Sequence, residues 1–377
     1  MTAPYDAVVI GIGTMGSSAA MTLARRGLRV LGLEQLDIPH TSGAHHGQSR
    51  MFRMSYYEHP DYVPLLRRSL DLWQELETRS GVELLYLTGG VYLGSPEGEL
   101  IAGSARAAAG HGLDHELLTA PALRERYPQF ELPDSHAALV EPRAGFIIPE
   151  RAVSAMAAQA LAAGAELHAR EPVLVWRRSG GLFEIDTHKG RYLARRAIIT
   201  GGAWTTRIIT DLGIPLAVTR QVLGWIWPRE HARFSLGRFP CWAAELPDSS
   251  IYYGFPMLPW HPGLKVALHR RGQPADPDVI DRSISAADEA EFRSGLVHLR
   301  DADGPILSGA VCTYTNSPDS HFIVGRHPHD SAVTIACGFS GHGFKFAPVI
   351  GEIVADLALH GRSDLPAAFL GLSRFRP

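Results

Sequence analysis

The chain has few cysteines, little net charge and no long apolar run. Only three of its 377 residues are cysteines, Cys241, Cys312 and Cys337, which excludes a disulfide framework and favours a reducing cytoplasm. The net charge of −3 gives no electrostatic basis for binding nucleic acid or an anionic membrane. No apolar run approaches the roughly 18 residues that span a bilayer. The stretch from Met1 to Asp6 is too short for a signal peptide and lacks its basic start.

What the chain does have is the composition of a globular enzyme. Hydrophobic residues make up 45% of it and charged residues 20%, which is ordinary for a soluble protein. A chain of 377 residues can form about two domains and bury a large core. We therefore expect a soluble protein without nucleic-acid or membrane partners.

The first 34 residues follow the pattern of a dinucleotide-binding βαβ unit. A predicted strand leads into the motif Gly11-Ile12-Gly13-Thr14-Met15-Gly16, then a helix, and then a second strand that ends at Glu34. Gly11 permits a sharp turn, Gly13 lets the backbone approach a pyrophosphate, and Gly16 lets the helix pack on the strand. The helix N-terminus attracts phosphates, and the Glu34 carboxylate can accept hydrogen bonds from a ribose. The alternative is a glycine-rich turn in another kind of α/β protein.

The chain returns to this α/β pattern twice, with strand-rich segments between. We predict an α/β protein whose FAD-binding domain is discontinuous and comprises residues 1–85, 147–216 and 322–377. Residues 86–146 and 217–321 are predicted to form an interleaved β-sheet substrate domain. A nicotinamide dehydrogenase would more often complete its six-stranded sheet continuously, so the interruption favours FAD over NAD. The clearest further helices are predicted over 61–76, 149–163 and 346–359, and the clearest later strands over 221–227, 251–255 and 264–269.

Three further segments resemble a known enzyme family. They are His45–Arg53 (HHGQSRMFR), Gly309–Thr315 (GAVCTYT) and Gly338–Phe346 (GFSGHGFKF). With the N-terminal glycine motif, they resemble the monomeric sarcosine oxidase and N-methyltryptophan oxidase family nearly from end to end. The resemblance implies a two-domain glutathione-reductase-type FAD-binding fold, covalently attached FAD, a secondary amino acid as substrate and transfer of electrons to oxygen.

The resemblance implies that Cys312 holds the cofactor. It matches the family cysteine that bonds the flavin through a thioether, and a thiolate is the side-chain group that readily forms such a link. The alternative is a small buried residue, as most free cysteines are. Cys241 and Cys337 have no matching role and are expected in the core.

Arg53 and Lys345 match the pair that binds the substrate carboxylate. Arginine offers a planar fork suited to a carboxylate, and lysine adds a point charge. The alternatives are a surface or phosphate-facing arginine and a solvated lysine. Since Lys345 stands at a predicted helix start, where a cation is unfavourable, its position argues for an anionic partner.

By the same resemblance, Lys265 lies over the flavin face and helps oxygen accept electrons, because a nearby cation stabilises superoxide. The alternative is a strand lysine that points to solvent. His269 shares its face of the predicted strand. His269 and Tyr253 match residues that line the substrate pocket, although both could be ordinary sheet residues.

The resemblance also places a glycine-rich loop, Gly338–Gly343, against the pyrimidine edge of the flavin, where N–H groups and a helix dipole would stabilise negative charge. His342 would belong to this contact or be an ordinary loop histidine. His45, His46 and Arg50 are placed beside the flavin. The His45-His46 pair does not predict a metal site, because no third ligand stands at a familiar spacing.

These inferences define a set of candidate site residues. The predicted catalytic residues are Lys265, Arg50, His46, His269 and Tyr253. The predicted substrate-binding residues are Arg53, Lys345, Tyr253 and Ala243. The predicted FAD-binding residues are Gly11, Gly13, Thr14, Met15, Gly16, Glu34, His45, Arg50, Val173, Gly202, Trp204, Cys312 as the covalent site, Phe339, Gly341, His342, Gly343 and Lys345.

Departures from the family pattern fall around the pocket. Met54–Glu58 replaces a His-Ala-Tyr-Gly-Glu run, and the loop Pro256–Pro262 differs from the usual sequences. Ala243 and Ala244 are small where family members with small substrates carry bulkier side chains. We therefore expect a larger pocket, with Trp260 as an aromatic wall, that prefers a bulky N-methyl amino acid to sarcosine.

The predicted protein is a monomeric, FAD-dependent oxidase of secondary, N-methyl α-amino acids that releases an imine or aldehyde, an amine and H2O2. One alternative is a related flavin dehydrogenase that passes electrons to a quinone or a protein, and Lys265 argues against it. Another is a catalytically silent flavin-binding protein. The joint presence of Arg53, Lys265 and Lys345 argues against that alternative.

Overall fold

The amino end of the chain forms the βαβ unit that its glycine motif predicts. In the computed structural model, which describes residues 3–375, strand β1 (Ala7–Ile10) is buried throughout and leads into helix α1 (Thr14–Arg25). The chain leaves this helix through Gly27, whose φ of +83° suits glycine. Strand β2 (Val30–Leu33) then pairs with β1 in parallel.

Within the described residues the chain forms 21 strands and eight α-helices. The remaining helices are α2 (Tyr62–Ser80), α3 (Ser104–His111), α4 (Ala120–Arg126), α5 (Pro149–Ala162), α6 (Thr205–Ile208), α7 (Ala286–Ser294) and α8 (Ala347–His360). The remaining strands are β3 (Arg50–Phe52), β4 (Leu85–Tyr86), β5 (Gly90–Gly94), β6 (Glu116–Thr119), β7 (Ala137–Glu141), β8 (Gly145–Ile147), β9 (Glu166–His168), β10 (Val173–Ser179), β11 (Leu182–Thr187), β12 (Arg191–Ala194), β13 (Ala197–Ile199), β14 (Ala217–Ile226), β15 (Cys241–Glu245), β16 (Ile251–Phe255), β17 (Leu264–His269), β18 (Gln273–Pro274), β19 (Ile306–Asn316), β20 (Ile323–Arg326) and β21 (Val333–Cys337).

A six-stranded sheet carries the N-terminal motif. Its order is β20-β21-β13-β1-β2-β9, and only the edge strand β20 is antiparallel. The alternation of β1 sends Ala7 and Val9 into the core with α1, α5 and α8, whereas Val8 and Ile10 face the small sheet β10-β11-β12. Burial on both faces explains why these strands are apolar throughout.

The second large sheet has nine strands. Its order is β18-β14-β17-β16-β15-β5-β7-β6, with β19 also paired to β14. In β17, Leu264, Val266 and Leu268 enter one core, and Lys265 and His269 lie on the other face with Ala267. This second face turns toward the candidate site.

The strands of the two large sheets come from different parts of the chain. Those of the six-stranded sheet all lie within 1–85, 147–216 and 322–377, and those of the nine-stranded sheet lie within 86–146 and 217–321. We propose these segments as the two interleaved domains. Across residues 3–375, no helix combines the length and apolarity needed to cross a membrane.

Candidate active site

A cavity of about 350 Å³ lies at the carboxyl ends of the parallel strands β1, β2 and β13. This is where open α/β sheets bind nucleotides. Its lining includes most of the residues that were predicted to contact FAD: Gly11, Gly13, Thr14, Met15, Glu34, His45, Arg50, Val173, Gly202, Trp204, Phe339, Gly341 and Gly343. Gly16, Cys312, His342 and Lys345 lie outside this lining.

The three glycines of the N-terminal motif meet different surroundings. A Cβ on Gly11, which has φ +92°, would lie 2.7 Å from the Thr200 carbonyl oxygen, and one on Gly16 would collide with the Gly11 carbonyl. A Cβ on Gly13 would meet only His45 Nδ1, at 3.9 Å. Gly11 and Gly16 therefore serve close packing, whereas Gly13 leaves the backbone open to the cavity.

Glu34 lines this cavity and is held in place by backbone N–H groups. Its Oε2 accepts a hydrogen bond from Ile12 N at 2.8 Å, and its Oε1 accepts one from Leu36 N at 3.0 Å. The imidazole of His40 lies 4.0 Å from Oε1 and packs edge-on against His45. Burial lowers the pKa of His45 to about 3, so this ring is neutral beside the cavity.

The side chains of Arg50 and His46 fix the loop after His45 by hydrogen bonds. Arg50 donates to the carbonyls of Ala44, His46 and Ser49 at 2.6–2.8 Å. Nε2 of His46 donates to the Val311 carbonyl at 2.8 Å, which joins the loop to β19. Burial lowers the pKa of His46 to about 4, so Arg50 is the cation at this point.

Lys265 is buried rather than directed to solvent. Its side chain enters the interior from β17 with 2% of the residue exposed, and Nζ donates to Gly47 O at 2.6 Å, Ser49 O at 2.9 Å and Ser49 Oγ at 3.2 Å. The Phe255 and Trp225 rings lie 4.9 and 5.6 Å from Nζ. Burial, followed by repulsion from Arg50, moves the pKa of Lys265 well below its usual range.

Cys312 lies in the middle of β19, buried among Leu223, Trp225 and Ala267. Tyr314, two residues further along the same strand, lines the cavity. Burial raises the pKa of the Cys312 thiol, and the charges of Arg50 and Lys265 oppose this rise. Cys241 and Cys337 are buried in other core clusters, as predicted.

A second group of charges gathers around the ring of Tyr56. The Arg53 guanidinium lies 4.4 Å and the Lys345 Nζ 5.2 Å from the ring centroid. Arg53 is also hydrogen-bonded to the Glu58 carboxylate and donates to Ser55 O at 3.3 Å. The two cations therefore converge in a buried place, and one of them already has a carboxylate partner.

Mutual burial changes the pKa values of these charges. Burial alone would lower the pKa of Arg53 and raise that of Glu58, but their attraction prevails. The pKa of Glu58 falls to about 2, and that of Arg53 rises. Burial and the charge of Arg53 lower the pKa of Lys345 to about 7. Lys345 therefore changes charge near neutral pH, whereas Arg53 and Glu58 remain ionised.

His342 completes this group as a neutral ring. Its Nε2 donates to the Ser320 carbonyl at 2.9 Å, and its Nδ1 accepts from the Tyr56 hydroxyl. Burial lowers the pKa of His342 to about 3 and raises that of Tyr56 well above its usual value. The carbonyl of His342 accepts from Lys345 Nζ at 2.9 Å, and that of Lys345 accepts from Ser69 and Trp73. The turn before α8 is thus held on both sides.

Tyr253 and His269 come from the neighbouring strands β16 and β17. Nδ1 of His269 is 3.5 Å from the Tyr314 hydroxyl, and burial lowers the pKa of His269 to about 4. Tyr253 pairs across the sheet with Ala243 and Ala267. A Cβ on Gly341, whose φ is +82°, would collide with the Tyr314 ring, so this glycine permits close approach of the loop.

The expectations that Ala244 enlarges the substrate pocket and that Trp260 forms its wall are wrong. Ala243 lies on the face that carries Tyr253 and is packed with Tyr92, but Ala244 enters the opposite core, because neighbouring strand residues alternate. Trp260 is 38% exposed and packs on Tyr86 and Arg151. Its ring is separated from Tyr253 by the successive aromatic contacts of Tyr86, Phe146 and Phe255.

Sequence reasoning gave no role to Tyr56, Glu58 or Tyr314. The first two were noted only as departures, although Glu58 follows Arg53 at the position where the family run ends in glutamate. That signal could have suggested an ion pair. No group of three or more histidine, cysteine or acidic side chains within residues 3–375 is placed to hold a metal ion.

Comparison with known proteins agrees with this geometry. The model of the FAD dependent oxidoreductase family, DAO, matches residues 6–357. Monomeric sarcosine oxidase of Streptomyces avermitilis is 43% identical over 97% of this chain and 96% of its own. N-methyl-L-tryptophan oxidase of Salmonella dublin is 36% identical over 98% of this chain and 99% of its own. The structure of NikD, described as an unusual amino acid oxidase essential for nikkomycin biosynthesis, superposes with a TM-score of 0.84 at 26% identity and covers 98% of both chains.

The predicted α/β FAD-binding fold is thereby confirmed, as is the resemblance drawn from the sequence. Two independent relatives above 30% identity cover almost the whole chain. The chain belongs to the FAD dependent oxidoreductases and, among them, to the family of the monomeric sarcosine and N-methyltryptophan oxidases.

Proposed function

We propose that this enzyme oxidises secondary, N-methylated α-amino acids, with FAD linked covalently to Cys312 and dioxygen as the final electron acceptor. The relatives named above act on sarcosine and on N-methyltryptophan, as their names say. The products are an imine, which water hydrolyses to an aldehyde and an amine, and hydrogen peroxide.

The observation that carries this proposal is the convergence of Arg53 and Lys345. These residues lie 292 positions apart in the chain, yet both are buried against the Tyr56 ring. Burying two cations together is costly unless an anion joins them. Glu58 is one such anion, and a substrate carboxylate is the second that we propose, bound by the Arg53 fork and the Lys345 ammonium.

The residues of the cavity fit FAD. Gly13 leaves the start of α1 open to a pyrophosphate, and Glu34 faces the cavity where a ribose diol would lie. Nε2 of His45 is buried and lacks a hydrogen-bond partner among the described residues, so a polar group of the cofactor would satisfy it. Bound FAD supplies the two-electron acceptor for the amine. Cys312 is two residues from Tyr314 in the cavity wall, which supports a covalent link at that end.

The charges of the site prepare a substrate for oxidation. An amino acid enters mostly as an ammonium, and its nitrogen must lose a proton before it can donate electrons. Arg53 and Lys345 bind the carboxylate and disfavour a third positive charge nearby, which lowers the pKa of the substrate amine. His269 is neutral and adds no opposing charge. Lys265, in its charged form, is the cation that favours electron transfer to dioxygen.

Anaerobic mixing with a panel of N-methyl amino acids tests the proposal. We expect sarcosine, N-methylalanine or N-methyltryptophan to bleach the yellow enzyme in a single turnover, and air to restore the colour with one peroxide per substrate. Substrates without a carboxylate should not bleach it. Bleaching followed by rapid dye reduction and little peroxide would support the dehydrogenase alternative instead.

The proposal extends to the state and location of the enzyme. We propose a monomer, in keeping with the word monomeric in the name of the sarcosine-oxidising relatives. We propose a cytoplasmic location, which suits three thiols that are all free and buried. Light scattering of the holoenzyme at micromolar concentration tests the first, and cell fractionation tests the second.

A further inference from the structure

The loop that receives Lys265 has an unusual backbone. Gly47 has φ +108° and Gln48 has φ +67°, a left-handed conformation that non-glycine residues rarely adopt. This conformation turns the carbonyls of Gly47 and Ser49 toward Nζ of Lys265, which binds both. Something must hold the loop in this shape, since a left-handed non-glycine residue costs free energy.

Glu150 is the side chain that binds the other side of this loop. It stands in the first turn of α5, and its Oε1 accepts from Gly47 N at 2.7 Å and from Gln48 N at 3.1 Å. Its Oε2 is buried without a hydrogen-bond partner in the part of the chain that the structure describes. The carboxylate is therefore connected to Lys265 through the Gly47–Gln48 peptide group, whose N–H binds Glu150 and whose carbonyl binds Lys265, and not by a direct ion pair.

We propose that Glu150 is a positioning residue for Lys265: it fixes the loop whose carbonyls bind the ammonium, and it supplies the countercharge for that ammonium. The part of this inference that concerns oxygen rests on the function proposed above. The part that concerns the charge and position of Lys265 does not. Glu150 thereby acts on the oxidative half of the reaction without touching a substrate.

The surroundings of Lys265 explain why it needs such a partner. The ionisable groups that face it are Arg50 from β3, His46 from the loop before it, Cys312 from β19, Cys241 from β15 and Glu150 from α5. Arg50 disfavours a second positive charge, and His46 is neutral. Both thiols have pKa values raised by burial, so they are protonated near neutral pH. Of these groups, the Glu150 carboxylate is the one that favours the charged form of Lys265.

The small number of lysines makes this testable by direct observation. The sequence contains only Lys189, Lys265 and Lys345, so NMR of holoenzyme labelled with [13C,15N]lysine gives three side-chain signals. Lys265→Met and Lys345→Arg identify two of them. We expect Glu150→Gln, which keeps an oxygen for the loop but removes the charge, to lower the titration midpoint of Lys265 by about one pH unit. The Lys345 signal should not move.

The matched control is Glu141→Gln. Glu141 is also a buried carboxylate that accepts from two consecutive backbone N–H groups, Met54 N at 2.6 Å and Ser55 N at 3.1 Å, but on the Arg53 side. Its replacement should leave the Lys265 midpoint unchanged. A Lys265 signal that titrates identically in Glu150→Gln and in the unmutated enzyme overturns the inference.

Rapid kinetics separates this inference from the proposed function. We expect Glu150→Gln to leave anaerobic reduction by substrate within threefold and to slow reoxidation by air about tenfold above the lowered midpoint, with recovery at lower pH. Glu150→Ala, which also releases the loop, should slow reoxidation at every pH.

If Lys265→Met is slow with oxygen but Glu150→Gln matches the unmutated enzyme throughout, the positioning role is overturned. If Lys265→Met reoxidises at the unmutated rate, the oxygen role of the proposed function fails, while a shifted Lys265 signal in Glu150→Gln still upholds the positioning role.

Discussion

Of the 36 basic residues in the chain, only three are lysines, and two of those, Lys265 and Lys345, are buried beside the candidate substrate and oxygen sites. An arginine keeps its charge in almost any surroundings, whereas a buried ammonium can release its proton. Arg50 and Arg53 thus provide permanent charge next to two groups whose charge depends on their partners. At the residue scale, the site combines fixed and adjustable cations.

The adjustable charge of Lys345 predicts a pH dependence of carboxylate binding. Its pKa in the free enzyme is lowered to about 7, so it is charged below that pH and neutral above it. A bound carboxylate raises this pKa, because it favours the ammonium. We therefore expect the Kd of a simple carboxylate such as acetate to rise as pH increases from 7 to 9, by up to about tenfold per pH unit.

Titration of flavin absorbance with acetate measures this dependence. Lys345→Arg should retain binding and remove the dependence between pH 7 and 9, since arginine stays charged. Lys345→Gln should bind weakly at every pH in this range. A Kd that is constant from pH 6 to 9 in the unmutated enzyme would show that Lys345 does not contribute through its charge.

Covalent attachment of FAD depends on a single thiol in our proposal. Acid precipitation of the unmutated enzyme should carry the yellow colour into the pellet, because a thioether survives acid. Cys312→Ala should release FAD to the supernatant. Cys337→Ala, which removes a thiol buried equally deeply in another core cluster, should keep the colour in the pellet. Free FAD from the unmutated enzyme would contradict the link.

At the scale of secondary structure elements, the period of the strands decides which side chains reach the site. In β17, the alternation that buries Leu264 and Val266 in one core brings Lys265 to the other face. In β15, the same rule separates Ala243 from Ala244. One step along a strand therefore exchanges a site residue for a core residue.

The two alanines allow a matched test of substrate size. Ala243→Leu adds bulk beside Tyr253, and Ala244→Leu adds the same bulk to the opposite core. Both should destabilise the fold by about 1–3 kcal/mol through overpacking. Only Ala243→Leu should lower the ratio of kcat/KM for N-methyltryptophan to that for sarcosine, by about tenfold or about 1.4 kcal/mol.

Steady-state kinetics and thermal melting of both variants provide the measurement. Equal ratios in the two variants would place the substrate side chain away from β15. In the unmutated enzyme we expect N-methyltryptophan or N-methylalanine to exceed sarcosine in kcat/KM. A highest value for sarcosine would mean that Tyr253 and its neighbours leave little room.

Sequence patterns predicted the elements far better than the details of the pocket. The glycine motif and the alternation of β17 are local signals, so the βαβ unit and the shared face of Lys265 and His269 followed from them. The partner of Arg53 depends on how the loop after β3 turns back, and the side of the sheet that Trp260 covers depends on a loop path. Short helices such as α3 and α4 carry too few apolar repeats to predict.

At the scale of the whole molecule, the candidate substrate site draws on both ends and the middle of the chain. Tyr56 comes from the N-terminal part, His269 from the nine-stranded sheet, and His342 and Lys345 from the segment before α8. The last described residues also take part, since Arg374 donates to Asp319 at 2.7 and 3.2 Å and to His321 O at 3.1 Å. These contacts hold the loop whose Ser320 carbonyl accepts from His342.

This connection predicts that a residue close to the C-terminus affects substrate binding. Arg374→Gln removes the paired hydrogen bonds to Asp319 and should cost about 1–2 kcal/mol of stability, because the pair is partly exposed. The freed loop should let Ser320 move from Nε2 of His342, so that the ring no longer holds Tyr56 in one orientation. Because Tyr56 lies under both Arg53 and Lys345, we expect KM to rise several-fold while kcat at saturating substrate changes little.

Arg362→Gln is the control, since Arg362 and its partner Asp364 are 82% and 94% exposed and 4.0 Å apart, and it should change neither KM nor the melting temperature. If Arg374→Gln lowers the melting temperature but leaves KM unchanged, this segment has only a structural role, and Arg374 does not affect substrate binding.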